Sequence, residues 1–297
     1  MRAPSLLAAS LLLGCATAAQ ADVIYSNLSV NGSMGAASRQ DAPGVIEIES
    51  ADDFLLTSTT RLTSATVIGL LVPGPLGGAP SISSVDIEIY RVFPADSDVG
   101  RTSGSPVFST SRVPTRVNSP SDVALLGRSS SVPGQLSFSS SVIASSFTVA
   151  NTIQAGGIHP LPTVTTGGNG PLTGQEVQFN INFTTPIDLP ADHYFFVPQV
   201  TLTSGAQFYW LSAARPIVGT PFAPDLQAWI RDGNLDPDWL RIGTDIVGGT
   251  TPPTFDLAFA LIGTRVPEPS GAALLLAALV GFGLVRRRRT AEGRSAA

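Results

Sequence analysis

The hydrophobic pattern through the middle of the chain has a period of two. Across residues 176–184, Val177, Phe179, Ile181 and Phe183 fall on one side, and Glu176, Gln178, Asn180, Asn182 and Thr184 on the other. Val85, Ile87 and Ile89 alternate with Asp86, Glu88 and Tyr90, and Phe255, Leu257, Phe259 and Leu261 repeat the pattern near the end. Alternation of this kind predicts antiparallel strands packed on one face. Further strands are expected over 45–49, 54–57, 65–72, 135–142, 147–153, 194–200, 207–211 and 226–231. Gly, Pro, Ser and Thr crowd the joints. Helical periodicity is nearly absent. Only 119–126 predicts one or two helical turns, with Ser119 as the cap and Pro120 at the first helical position. Many short strands with turn-rich joints and no internal repeat predict a mainly β fold, an antiparallel β-sandwich of jelly-roll type. The long loops 94–120 and 156–174 are expected to be its least ordered parts.

The two ends of the chain follow other patterns. Arg2 precedes an apolar core over 6–13, and Ala19 and Ala21 supply a small-residue cleavage site. Residues 1–21 therefore read as a secretory signal peptide cut after Ala21. Residues 12–15 offer a competing lipoprotein box that would lipidate Cys15. The Ala21 cut is favoured because Leu13 suits that box poorly. At the other end an uncharged apolar run over 271–285 is followed by Arg286, Arg287, Arg288 and Arg289. As a helix it would span roughly 22 Å against a hydrocarbon core of about 30 Å, a short membrane crossing with snorkelling arginines. The Arg block places its own side in the cytoplasm and the domain opposite. Pro267 and Pro269 predict an extended stalk before the span.

Val266, Pro267, Glu268 and Pro269, the apolar run and the Arg block together resemble the PEP-CTERM sorting signal of Gram-negative bacteria. The resemblance covers about residues 266–289. It implies recognition by an exosortase, an integral-membrane cysteine transpeptidase-like enzyme. It also implies transient anchoring in the inner membrane, removal of the tail, and delivery to the cell surface or extracellular matrix. Some ice-binding proteins carry the same kind of tail, which does not itself imply ice binding. Residues 51–56 and 66–69 loosely resemble the opening of choice-of-anchor exterior domains. The expected organisation is a signal peptide at 1–21, an exterior domain at 22–264 and a sorting tail at 265–297.

Composition narrows the classes of function. Cys15 is the one cysteine, so a chain beginning at Asp22 has no disulfide and depends on its core. Every basic residue is Arg. Residues 22–265 hold 20 acidic side chains against 11 Arg, a net charge of −9. That balance argues against nucleic acid and anionic lipid surfaces.

Four candidate chemistries stand out. Asp232, Asn234, Asp236 and Asp238 place oxygens at alternate positions of one loop, a candidate calcium set, although Pro237 and Gly243 occupy the positions where an EF-hand requires Gly and Glu. The competing reading is a polar turn. Tyr209, Trp210, Trp229 and Trp239 are candidates for stacking on sugars or for the core, with Trp239 expected to be the exposed one. His159 and His193 are far apart and lie in no catalytic motif. No acid pair is singled out for glycoside hydrolysis. The sequence thus predicts a non-catalytic structural or adhesive role in exopolysaccharide. The alternatives are a glycan-binding module, with calcium as an optional cofactor, and a secreted hydrolase.

Overall fold

The computed structural model describes residues 21–75, 77–78, 80–101, 113, 115–158, 164–203, 205–214 and 226–266. Their chain is mainly β. In order the strands are β1 (Asp22–Ser26), β2 (Val30–Ala37), β3 (Ile48–Leu56), β4 (Thr60–Val72), β5 (Ile82–Arg91), β6 (Leu126–Ser129), β7 (Leu136–Val149) and β8 (Asn151–Ile153). There follow β9 (Leu172–Leu189), β10 (Asp192–Leu202), β11 (Gln207–Ala213), β12 (Trp229–Asp232), β13 (Leu240–Arg241), β14 (Asp256–Leu257) and β15 (Phe259–Arg265). A single π-helical turn, Ile242–Val247, joins β13 to the last segment. Among the described residues no helix is long and apolar enough to cross a membrane, and the expected span 271–285 lies outside them.

Two sheets form. The larger has the order β1-β15-β4-β11-β2-β8, with β9 also paired to β4, β7 to β9 and β14 to β11. The smaller has the order β13-β12-β3-β10-β5-β6. Pairing is antiparallel throughout except between β2 and β8.

The period-two pattern explains which faces are buried. Val177, Phe179, Ile181 and Phe183 of β9 are buried, whereas Asn180 and Asn182 between them are exposed. On β5, Val85, Ile87 and Ile89 enter the main core. That core joins residues of both sheets around Phe259. The Phe259 ring stacks on Phe196 of the smaller sheet at 5.1 Å and on Tyr25 at 4.4 Å, and meets Trp210 edge-on at 5.6 Å. The Trp210 indole donates to the Ala258 carbonyl at 2.9 Å, so its one polar atom is satisfied.

Two expectations are corrected. The segment 119–126 forms no helix. Pro120 bridges Val92, the Ser119 hydroxyl donates to nearby carbonyls, and residue 126 opens β6. The strands expected at 135–142 and 147–153 are largely one strand, β7, whose pairing with β9 shifts register after Val142 and again after Ala144.

Phe259→Ala should destabilise the domain by about 3–5 kcal/mol, as truncation of a fully buried aromatic does, read as a lower urea midpoint at unchanged slope.

Candidate functional site

The loop after β12 holds the residues expected to bind calcium, and the fold gives each carboxylate a different partner. Asp232 turns its Oδ1 back onto the backbone amides of Asn234 and Leu235, at 3.0 and 3.1 Å. Asp236 pairs with Arg231 at 2.8 Å, and Asp238 with Arg101 at 2.9 Å. Among the described residues no group of three or more His, Cys, Asp or Glu side chains is arranged to hold one metal ion. Trp239 is buried, 2% exposed, and this corrects the expectation that it is the exposed ring. It packs edge-on against Tyr90 at 5.4 Å, lies under the Arg231 guanidinium at 4.3 Å and donates to the Ser121 carbonyl. Tyr209, Trp210 and Trp229 are buried as well.

These contacts belong to a larger network on the side of the smaller sheet away from the main core. Arg231, 5% exposed, donates from Nε to Glu49, from Nη2 to the Tyr90 phenol at 2.8 Å and from Nη1 to the Asp122 and Pro237 carbonyls. The Tyr90 oxygen also lies 2.7 Å from Glu49 Oε1 and 2.6 Å from Glu88 Oε2. A phenol has one proton to give, so one of these two contacts requires a protonated carboxyl. Glu88 carries it. Burial, and then the charge of Glu49, push Glu88 up to about 7. Glu49 moves the other way. Burial opposes its charge, but Arg231 outweighs burial and holds it below the usual range. The result is a carboxyl and a carboxylate bridged by one phenol and neutralised by one guanidinium.

Next to it lies a second ionic group. Arg101 and Arg116 face Asp122 and Asp238, and Arg116 also donates to the Asp98 carbonyl and lies over Phe93. Both ends of the long loop expected to be loosely held are therefore fixed to the turn at 232–239. His193, on β10, pairs with Asp53 at 2.6 Å. His159 lies outside the described residues. So do Ala19, Pro267, Glu268, Pro269 and Arg286 to Arg289. Ala21 is exposed immediately before β1, and the Val266 amide donates to the Thr59 carbonyl immediately after β15.

The solvent side of the larger sheet has the opposite character. Residues 129–175 contain no Asp, Glu, Lys or Arg. In register across three strands, Ser137 faces Asn182 and Asn182 faces Ser64, while Ser139 faces Asn180 and Asn180 faces Thr66. These six side chains line a shallow groove of about 360 Å³. Gln178 donates to Asn180 at 2.8 Å, and the other five make no side-chain hydrogen bond among the described residues. The groove thus offers unpaired hydroxyls and amides, spaced by the strand separation of about 4.8 Å and fixed on a rigid sheet. Uncharged polar groups of this kind are suited to the hydroxyls of a neutral sugar chain. The sequence reading missed the groove. The outward Asn180 and Asn182 were visible in the alternation, but the pairing that sets serines beside them was not.

No protein-family model, curated protein or solved structure matches the chain.

Because Glu88 sits above its ordinary value near 4.5, the folded state holds a proton that the unfolded chain releases. Its contribution to stability is complete below about 4.5 and is lost as pH rises through about 7. Glu88→Gln should therefore remove part of the fall in melting temperature between pH 5 and 8. Parallel melting curves for the two proteins would refute this assignment.

Proposed function

We propose that this is an exported, non-catalytic matrix or surface protein that adheres to exopolysaccharide through the uncharged face of its larger sheet. The observation that carries the reading is the groove between β4, β9 and β7. It is built from Ser64, Thr66, Ser137, Ser139, Asn180 and Asn182 and lies within a domain that is otherwise strongly acidic. A neutral face limits charge repulsion against polysaccharide, and side-chain amides offer a donor and an acceptor to neighbouring sugar hydroxyls. The fold reading that goes with it is a β-sandwich of jelly-roll type. Support comes from the common core of the two sheets and from a chain that alternates between them, from β2 to β5 and again from β9 to β12.

Export and sorting rest on the ends of the chain. Residues 1–21 are read as a signal peptide, and 265–297 as a PEP-CTERM tail. Val266, Pro267, Glu268 and Pro269 form the motif presented to an exosortase, and Arg286, Arg287, Arg288 and Arg289 hold the cytoplasmic side. The protein is then anchored transiently in the inner membrane of a Gram-negative bacterium before reaching the surface or matrix. β1 begins at Asp22, the residue after the expected cut, which suits this reading.

The adhesive role is tested by retention of the purified protein on the host's own neutral exopolysaccharide. The double variant Asn180→Ala, Asn182→Ala should lose about tenfold in affinity, two hydrogen-bonding side chains at roughly 0.5–1.5 kcal/mol each. Unchanged retention would remove the face from the argument. The sorting role is tested by the intact mass of the protein from its host. A chain starting at Asp22 and ending between Pro267 and Ser270 is expected, and a retained Arg block would refute exosortase processing.

A further inference from the structure

A cleft of about 490 Å³ opens where the loop after β2 meets the turn between β10 and β11. One wall is Arg39, Gln40 and the backbone of 42–46, and the other is Val200, Leu202, Ala206 and Gln207. Two glycines with positive φ, Gly44 at 76° and Gly205 at 71°, shape the turns on either side. Neither is a residue of the groove on the larger sheet, and no candidate site drawn from the sequence includes a residue of this cleft.

Arg39 is the anomaly. Arg61, Arg91, Arg101, Arg116, Arg231 and Arg241 are each paired to a carboxylate. Arg128 donates to the carbonyls of Gly127 and Thr185, and Arg265, at the end of β15, is exposed to solvent. Arg39 is half-buried, and its side chain has no hydrogen-bond or ion-pair partner among the described residues. Its Nε is fully shielded from solvent and unpaired, and so is the hydroxyl of Thr201 in the same cleft. Burial lowers the pKa of Arg39, and among the described residues the Tyr209 phenol is the group that acts to raise it. The two acids nearest in sequence are not its partners. Asp41 is exposed, and Glu47 is held by the Gln199 amide at 2.9 Å. In a domain of net charge −9, leaving a half-buried guanidinium without a carboxylate is costly unless something else supplies the anion.

The geometry points to a binding site for a carboxylate carried on a sugar ring, that is, a uronic acid residue of an acidic polysaccharide, with Arg39 as its fork. A guanidinium binds a carboxylate through two parallel N–H donors, and a shielded site strengthens such a pair. The rest of the cleft fits a ring bearing hydroxyls. Gln40 gives its Nε2 to Gln199, and Gln207 accepts from Tyr209, so Gln40 Oε1 and Gln207 Nε2 remain free for hydroxyls among the described residues. Val200, Leu202 and Ala206 supply apolar wall against the C–H face of a ring. The sugar part of the assignment rests on the polysaccharide reading above. The carboxylate part rests on Arg39 alone.

The test is calorimetric titration of the full-length protein in detergent with a uronic acid oligomer, its methyl ester, the matching neutral oligomer, and benzoate. Two variants approach the cleft independently. Arg39→Gln removes the fork, and Ala206→Phe fills the opposite wall while leaving the charge. The uronic acid oligomer should bind the wild type and be weakened about tenfold or more by either variant, with the ester and neutral oligomer bound no better than to Arg39→Gln. Failure of the wild type to bind the acid, or equal binding of acid and ester, would overturn the site. So would binding that survives both variants. Benzoate binding as tightly as the uronic acid would overturn the sugar assignment. Asn180→Ala, Asn182→Ala should leave this titration unchanged, so a failure of the neutral groove and a failure of the cleft are told apart.

Discussion

The domain depends on a buried arginine whose three nitrogens are all engaged. Arg231 is taken out of water and surrounded by Glu49, Tyr90, Asp236, two carbonyls and the face of Trp239. Removing such a charge from water costs several kcal/mol, and only near-complete satisfaction offsets it. Its partners come from β3, from β5, from the segment before β6 and from the turn after β12. The geometry of that one guanidinium therefore requires all four segments to be in place together. This is why the outer side of the smaller sheet can carry loops rather than a third layer. The loops are held by charge, and the second apolar cluster, including Tyr90, Phe195, Trp229 and Trp239, fills the space beneath them.

The same constraint separates the molecule into two chemical regions. Ionic groups gather over the smaller sheet, where Arg101, Arg116, Asp122 and Asp238 add to the Arg231 group. The β7–β9 side of the larger sheet is almost free of charge. A charged network exposed on a binding surface would be screened by salt and would repel acidic partners. Buried under loops, it is used for structure, and the hydroxyl- and amide-bearing face of the larger sheet is the one turned to solvent. Glu88 shows how tightly the ionic region is filled. Its carboxyl is pushed up to about 7, first by burial and then by the charge of Glu49, with which it shares one phenol.

How much of this the sequence reveals follows from the range of each interaction. β5, β9 and β15 were legible because burial on one face writes itself as alternation. β7 was not read as one strand because residues 139–146 are exposed on both faces or nearly so, which leaves no alternation to read. The Asp-rich loop looked like a metal set because its oxygens are close in sequence. The fold divides them instead: Asp232 caps its own turn, Asp236 pairs with the nearby Arg231, and Asp238 pairs with Arg101, 137 residues before it. Trp239 looked exposed for the same reason, since the residues that cover it, Tyr90 and Ser121, come from distant segments. The 182 residues between Glu49 and Arg231 put the central ion pair beyond any local pattern. Arg39 gave no signal at all, because a half-buried arginine without a partner is recognised only once the surroundings of the other described arginines are known.

The strand register also fixes where the two proposed binding regions lie relative to the ends of the described chain. Asp22 pairs with Gly263 and Arg265 with Thr60, so the start of β1 and the end of β15 emerge together beside the first residue of β4. The last residue of β4, Val72, pairs with Gln207 on the wall of the Arg39 cleft. Thirteen residues of strand separate these points, roughly 40 Å at 3.3 Å per residue. Under the proposed sorting route, the cut after Ala21 and the start of the tail lie at the same end of the domain, and the tail holds that end against the membrane. The cleft then points away from the membrane, and the Ser64–Thr66 groove lies along the same strand in between.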